Sequence, residues 1–424
     1  MNNQEKPSAT SICVIGLGYV GLPLAITFSE KFDVIGIDIS SKRISELNDG
    51  IDMTREVFQQ ELKSTSCKFS TNIQDAAVCN VFVVGVPTPI DDEFRPDLKP
   101  LIEACKSVAS VLNYGDIVIF ESTVYPGTTE DVCVPILEEY SGLSFNLDFF
   151  VGYSPERINP GDKKNTLKNI PKVVSGSTPE VSLRVQSIYD AVLNAPTHLA
   201  PSIKVAEGAK IIENTQRDMN IAIMNEFSRI FSQLNINLYD VIDAAKTKWN
   251  FLPFEPGLVG GHCIGVDPYY LIEKSSSSGY NPDFLVTGRR LNETMVDFMI
   301  EKIVFAANDK KIIMNGARIL ILGYTFKANC PDIRNTKVKD LREKLQHWGA
   351  HVRVLDPWVS VSDCELCEIV SDETLIDLQY DIVISAVDHT CFSELTASDI
   401  SNKYSCRLVF DLKNSVIGAE NVYK

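Results

Sequence analysis

Ser11-Ile12-Cys13-Val14-Ile15-Gly16-Leu17-Gly18-Tyr19-Val20-Gly21, followed at Phe32 to Ile37 by a second apolar run that ends on Asp38, decides how this chain folds. The first five residues read as a buried strand, and the helical pattern after the glycines runs to about Glu30. Strand, glycine turn, helix, strand and acid is the order of a dinucleotide-binding βαβ unit, with Asp38 standing 22 residues beyond Gly16. Gly16 permits the tight turn, Gly18 lets a pyrophosphate approach the backbone, and Gly21 lets the helix pack on the sheet. The helix N-terminus then faces the phosphates. Asp38 suits the two ribose hydroxyls of NAD and would repel the 2′-phosphate of NADP, a repulsion that Lys42 and Arg43 are close enough in sequence to soften. A packed glycine turn without a ligand is the plainer alternative.

Outward from this stretch, strand-like runs at 80–86, 116–120 and 148–152 alternate with helical stretches, which implies a parallel, doubly wound sheet. Near residue 200 the character changes. Ser202 to Leu234 reads as one long helix, further helices are expected at about 238–247 and 284–308, and a glycine-rich loop spans Pro256 to Val266. Strand-like runs return at 317–323, 351–356, 380–387 and 407–411. The expected fold is therefore α/β, with two Rossmann-like doubly wound parallel-sheet domains joined by a long central helical region. The expected division is 1–200 for the NAD-binding domain, 201–310 for the helical domain and 311–424 for the second α/β domain. The long helix also suggests pairing into a homodimer or higher homo-oligomer.

A net charge of −16 excludes a general nucleic-acid binder, which needs a basic surface. No stretch approaches the roughly 18 uninterrupted apolar residues of a membrane span. Met1 to Ser11 is polar, unlike the apolar core of a secretory signal. Several of the 11 cysteines, such as Cys13 and Cys79, lie inside apolar strands, as in a reducing compartment. A cytoplasmic protein is the expectation, with neither membrane nor nucleic acid as partner.

Candidate chemistry sits in a few places. Val86-Pro87-Thr88-Pro89 and Glu121-Ser122-Thr123 both follow strands, at the edge where open α/β sheets bind ligands. Their hydroxyls could line the nicotinamide side, or simply make turns. Lys210 and Asn214 share a face of the long helix, flanked by Glu207 and Arg217. Gly257 to Asp267 places four glycines around Cys263. That argues for close backbone approach, and a helix starting just beyond would stabilise the thiolate. Asp267, four residues on, could return to the same site. Cys364-Glu365-Leu366-Cys367 has no second ligand pair to complete a zinc site and is read as incidental; no metal is expected.

Five ordered motifs then carry a resemblance: Ile15 to Pro23, Ser122 to Gly127, Tyr153 to Arg157, Gly260-Gly261-His262-Cys263 with Asp267, and Gly323 to Lys327 with Asp332 to Asn335. Together, from about residue 11 to 414, the chain resembles the UDP-glucose/GDP-mannose 6-dehydrogenase family. The segments Ile212 to Asp218 and Trp249 to Tyr270 are similar to its bacterial UDP-N-acetylhexosamine branch, which serves capsule, Vi-type and O-antigen polysaccharides. Thr247-Lys248-Trp249 stands where glucose enzymes usually carry an Arg. The resemblance implies a four-electron oxidation of the C6 hydroxymethyl of a UDP-sugar, with UDP-N-acetylglucosamine (UDP-GlcNAc) first. UDP-GalNAc, UDP-ManNAc and UDP-glucose are the alternatives. It implies NAD contacts at Gly16, Gly18, Tyr19, Val20, Gly21, Asp38, Arg43, Thr88, Thr123 and Arg334, and sugar-nucleotide contacts at Glu156, Arg157, Lys210, Asn214, Gly260 and Lys327. The implied catalytic set is Cys263 as nucleophile, Asp267 and Lys210 with a water for the alcohol proton, Lys210 and Asn214 for oxyanions, Thr123 for water positioning and Glu156 as hydrolytic base.

Two rivals remain at this level. A nucleotide-sensing regulator would leave the Cys263 loop unexplained. A two-electron dehydrogenase would make one NADH per substrate and need no cysteine.

Overall fold

A computed structural model describes residues 9–91, 93–158, 164–359 and 379–421. The Cys364–Cys367 pair lies outside these residues. The chain divides into two compact units: the N-terminal part to Glu213 with Tyr269–Tyr280, and Asn214–Pro268 with the chain from Asn281 onward.

The first unit is built on eight strands: β1 (Ser11–Ile15), β2 (Asp33–Ile37), β3 (Lys68–Ser70), β4 (Val81–Val84), β5 (Asp116–Phe120), β6 (Phe149–Tyr153), β7 (Lys172–Gly176) and β8 (Thr197–Leu199). Their order is β3-β2-β1-β4-β5-β6-β7-β8, parallel except where β6 meets β7. β1, β4, β5 and β6 are apolar throughout or nearly so because both faces of the sheet are covered. Strand order reverses between β1 and β4, so the crevice for a ligand opens there, at the carboxyl ends of the strands. β3 and β8 have three residues each, too short to show an alternation in sequence.

The second unit holds a five-stranded parallel sheet in the order β10-β9-β11-β12-β13, with β9 (Arg318–Leu322), β10 (His351–Leu355), β11 (Ile382–Ser385), β12 (Leu408–Asp411) and β13 (Glu420–Asn421). Helices Leu238–Lys246 and Met295–Asp309 bury Leu238, Ile242, Met299 and Ile303 in one core with Ile319, Ile321, Ile384 and Phe410 of this sheet. These helices are thus completed by the sheet's apolar face rather than by a core of their own. The fold class is α/β with two parallel-sheet domains and the long helix Ile203–Gln233 between them in sequence.

The single helix expected over 284–308 is two, Asp283–Glu293 and Met295–Asp309. Thr294 separates them because its hydroxyl bonds the Leu291 carbonyl (3.1 Å) and accepts from Arg229 (2.9 Å), competing with continuous helix. Just before this break lies a buried polar network. Arg289 Nη1 donates to Asp218 (2.6 Å), Asn292 Nδ2 donates to the same carboxylate (2.8 Å), and Asn225 bonds both Asn292 (2.8 Å) and the Gly257 backbone (3.0 and 2.8 Å). The glycine loop is therefore anchored at its start by a buried hydrogen-bonded network. Burial pushes the Asp218 carboxyl up, against the pull of Arg289. Replacing Arg289 with Met leaves that carboxylate buried without its cation, so stability should fall by about 3–5 kcal/mol. All three tryptophans lie in this unit, so their fluorescence during urea unfolding reads the loss; an unchanged midpoint would contradict the network's importance.

Candidate functional site

In the first unit the glycine turn closes on itself. Gly16 has φ +88°, and its N–H donates to the Ile37 carbonyl (2.8 Å). A Cβ on Gly21 would lie 1.8 Å from the Gly16 carbonyl oxygen, and one on Gly16 would lie 2.9 Å from the Gly85 oxygen at the end of β4. Above Gly18 there is open space. The helix Gly21–Phe28 has Val20 as its N-cap and no capping side chain, and Tyr19 and Val20 are half-buried beside it. An open approach to an uncapped helix N-terminus fits the diphosphate of NAD. Asp38 accepts from Leu17 N and Ser40 N (both 2.9 Å), which aims the carboxylate while leaving lone pairs for hydroxyl donors. Arg43 is held beside this turn. Its Nε donates to the Leu17 carbonyl (2.9 Å) and Nη2 lies 2.8 Å from Asp52, so it braces the turn.

Other candidates of this unit cluster at the carboxyl edge of the sheet. Thr88 Oγ1 donates to the Thr123 carbonyl (2.7 Å), and Ser122 Oγ donates to the Val86 carbonyl (2.7 Å). These hydroxyls tie adjacent strand ends together first. Glu156, buried just beyond β6, accepts from Arg157 N and Ile158 N (both 2.6 Å) through Oε1 and from Lys172 Nζ (3.2 Å) through Oε2. Arg157 pairs with Glu213 (2.7 Å) and donates to the Pro171 carbonyl (2.8 Å). Lys210 is buried, and its ammonium makes no hydrogen bond or ion pair with another described residue. Glu207, one turn earlier, accepts from Gly127 N (2.5 Å) and Thr129 N (2.9 Å), and burial pushes its carboxyl up to about 7.

In the second unit Asn214 Nδ2 donates to Asp267 Oδ2 at 2.5 Å. Asp267 begins the Asp267–Ser277 helix, and its N–H bonds the Cys263 carbonyl (2.8 Å), so a half-buried Cys263 sits one turn ahead of a helix start. The loop glycines serve packing. A Cβ on Gly260 would meet the Asn335 oxygen at 2.7 Å, and one on Gly261, which has φ +83°, would meet the Phe326 ring at 2.7 Å. Arg334 is held by Asp332 through Nε (2.9 and 3.1 Å) and Nη2 (2.5 Å). Lys327 is half-buried, its carbonyl accepting from Thr325 Oγ1 (2.9 Å).

Sequence reasoning missed three groups. His262 Nδ1 lies 3.2 Å from Asp332 Oδ2 and 3.1 Å from Arg334 Nη2. Burial would lower its pKa, but the bonds to Asp332 and Cys263 outweigh it and lift it to about 9, so the imidazolium form predominates at neutral pH. Nδ1 then donates to Asp332. Lys172 and Tyr189 complete a buried cluster with Glu121 and Glu156. A lysine opening the apolar run Lys172-Val173-Val174 was the available signal.

Family models match three successive segments of the chain: the NAD binding domain of the UDP-glucose/GDP-mannose dehydrogenase family at residues 10–193, its central domain at 204–294 and its UDP binding domain at 320–417. A UDP-N-acetyl-D-glucosamine 6-dehydrogenase of Pseudomonas aeruginosa is 53% identical over 95% of this chain and 96% of its own. One from Salmonella typhi is 50% identical over 92% of each. Among solved structures, a UDP-D-ManNAc dehydrogenase from Pyrococcus horikoshii superposes with a TM-score of 0.88 at 30% identity, covering 97% of this chain and 99% of that one.

The Asp38 geometry carries a test. If this carboxylate meets the adenosine ribose, kcat/KM for NAD+ should exceed that for NADP+ by about 100-fold, since juxtaposed like charges cost several kcal/mol. Asp38→Asn should narrow the gap; equal values in the unaltered protein would refute the assignment.

Proposed function

The chain belongs to the UDP-glucose/GDP-mannose dehydrogenase family, and from that premise we propose that it oxidises the C6 hydroxymethyl of a UDP-N-acetylhexosamine, UDP-GlcNAc first, to a carboxylate. The substrate reading is supported by 53% and 50% identity to two proteins named as UDP-GlcNAc 6-dehydrogenases. NAD+, when bound, accepts a hydride in each of the two oxidations. The observation that carries the mechanism is the Asn214–Asp267–Cys263 arrangement: an amide holding a carboxylate whose own N–H closes the turn from the cysteine.

In this reading Asp267, with Lys210 and a water, takes the alcohol proton. Cys263 adds as thiolate to the aldehyde, which keeps the intermediate covalently held. The resulting thiohemiacetal carbon can lose a second hydride and become a thioester. Lys210 and Asn214 donate to the oxyanions that develop. Thr123 positions water, and Glu156 takes its proton as the thioester is hydrolysed. Arg157, Gly260 and Lys327 contribute to holding the sugar nucleotide, and Arg334 to the cofactor phosphates. The division 1–200, 201–310 and 311–424 assigns cofactor, helical and UDP-sugar functions in chain order. The acidic sugar nucleotide is a precursor suited to capsule or O-antigen, made in the cytoplasm. Among the described residues no helix is long and apolar enough to cross a membrane.

We also infer a homodimer. Ile223, Phe227, Ile230 and Leu234 are exposed. Their spacing puts them on one face, a seam suited to a second copy.

Three measurements test this reading. Across a panel of UDP-GlcNAc, UDP-GalNAc, UDP-ManNAc, UDP-glucose and GDP-mannose, kcat/KM should be highest for UDP-GlcNAc, with two NADH formed per sugar; GDP-mannose as best substrate would overturn the branch assignment. Cys263→Ser should retain cofactor binding and accumulate a covalent ester, visible by intact-protein mass spectrometry, because an ester hydrolyses less readily than a thioester. Cys263→Ala should show neither adduct nor two-step turnover; normal release of carboxylate by that variant removes the cysteine from the mechanism. Light scattering should give a dimer, converted to monomer by Phe227→Glu with Ile230→Glu.

A further inference from the structure

The first unit contains a charged cluster almost wholly withdrawn from solvent. Lys172 opens β7 and is 2% exposed, Glu121 ends the β5 run and is 1% exposed, and Tyr189 is fully buried. Lys172 Nζ donates to Glu121 Oε2 (2.9 Å), Glu156 Oε2 (3.2 Å) and the Pro155 carbonyl (3.3 Å), which uses all three ammonium protons. Tyr189 donates to Glu121 Oε1, and its ring stands 5.3 Å from the ammonium. Glu156 receives two backbone N–H groups on its other oxygen. Its position is thus set from both sides.

Such a cluster is costly to bury and would be easily replaced by apolar residues if packing were its only role. It also lies at the carboxyl edge of the sheet, the edge that carries Thr88 and Thr123. We propose that Lys172 and Glu121 form a buried positioning pair that orients Glu156 and sets the charge beside it as it takes a proton from water during thioester hydrolysis. This rests on the proposed role of Glu156. In that step the water oxygen bonds to the acyl carbon and the carbon–sulfur bond breaks. Cys263 leaves as thiolate, and the water proton passes to Glu156 and then to solvent.

The electrostatics give the pair its working range. Two carboxylates share one ammonium. Burial pushes the Glu121 carboxyl up; Lys172 opposes this, Glu156 adds to it, and the outcome is about 7. Burial acts to lower the Lys172 ammonium, but the two carboxylates prevail and hold it above its ordinary value. The charged and titratable groups facing Glu121 are Lys172 on β7, Glu156 beyond β6 and Tyr189 on the helix Pro179–Asp190, whose phenol is pushed well up by burial. Below about 7 a neutral Glu121 leaves the ammonium to Glu156 alone. Above it, an ionised Glu121 draws on the same ammonium and places a second negative charge beside the cluster, which favours movement of the positively charged water proton toward it. Hydrolysis should therefore speed up as pH rises through neutrality.

The test is single-turnover kinetics of the full chain with UDP-GlcNAc and NAD+, following NADH by absorbance and the acyl-enzyme by rapid quench and mass spectrometry. Glu121→Gln, nearly isosteric, should keep the NADH burst but slow acyl-enzyme loss about tenfold at pH 8 and abolish its rise between about pH 6 and 8. Lys172→Met should slow that loss about 100-fold, so the adduct accumulates, while Lys172→Arg restores part of the rate. If Lys172→Met does not fold, the Glu121→Gln pH profile decides the matter. Unchanged acyl-enzyme loss and an unchanged profile would overturn the proposal. So would equal losses of burst, cofactor affinity and hydrolysis, which mark a merely structural cluster. If Glu156→Gln accumulates acyl-enzyme while both partner variants behave as the unaltered protein, this inference fails and the mechanism stands. If the unaltered protein forms no acyl-enzyme at all, the mechanism fails and takes this inference with it.

Discussion

The contact between Gly21 and the Gly16 carbonyl is the constraint on which the first unit depends. With 1.8 Å available to a Cβ, no side chain fits, so the helix Gly21–Phe28 can start only where it does, directly over the turn. That start fixes the direction of the uncapped N-terminus, and Gly16 lies against Gly85 at the end of β4 in the same crossing. The point where strand order reverses is therefore also the point of closest backbone approach. A cofactor crevice follows from the two together, because the chain leaves β1 and β4 toward opposite sides of a gap that only backbone and ligand can enter.

The parts of this arrangement that were legible in the sequence are those where residue type and spacing are forced. Gly16, Gly18, Gly21 and Asp38 could be read because few residues satisfy their backbone and charge requirements. The apolar strands β1, β4, β5, β6, β9 and β12 could be read because a two-sided parallel sheet leaves no polar alternation to confuse them. The break at Thr294 could not, since it depends on Arg229, 65 residues away, reaching a hydroxyl that looks ordinary in its helical pattern. Arg43 shows the same limit. Asp52 and the Leu17 carbonyl hold it in place, a partnership that sequence spacing does not reveal.

Buried charge was the least legible feature and is distributed with some economy. Each buried ion is met by several partners. Asp218 has Arg289 and Asn292, Glu207 has two backbone N–H groups, and Lys172 has two carboxylates and a carbonyl. A lone buried charge would cost several kcal/mol, and these partners offset part of that cost, though burial still pushes the Asp218 and Glu207 carboxyls up. Lys210 is the departure from the pattern. It is buried on the long helix, yet among the described residues its ammonium has no partner. Its donors are not taken up by the protein, so an oxyanion or carboxylate arriving beside it could accept from them.

This contrast separates groups that act from groups that hold. Glu156 combines both conditions, since both its oxygens are engaged and yet it lies at the ligand edge of the sheet. A carboxylate fixed by two amides and an ammonium loses little entropy when it takes up its working geometry, because its rotamer is already chosen. Glu121, on the far side of the shared Lys172 ammonium, can place a further negative charge beside it without bonding it directly. Orientation and charge are thus set by different atoms of one cluster, which allows one carboxylate to be held rigidly while the charge state of a second is set beside it.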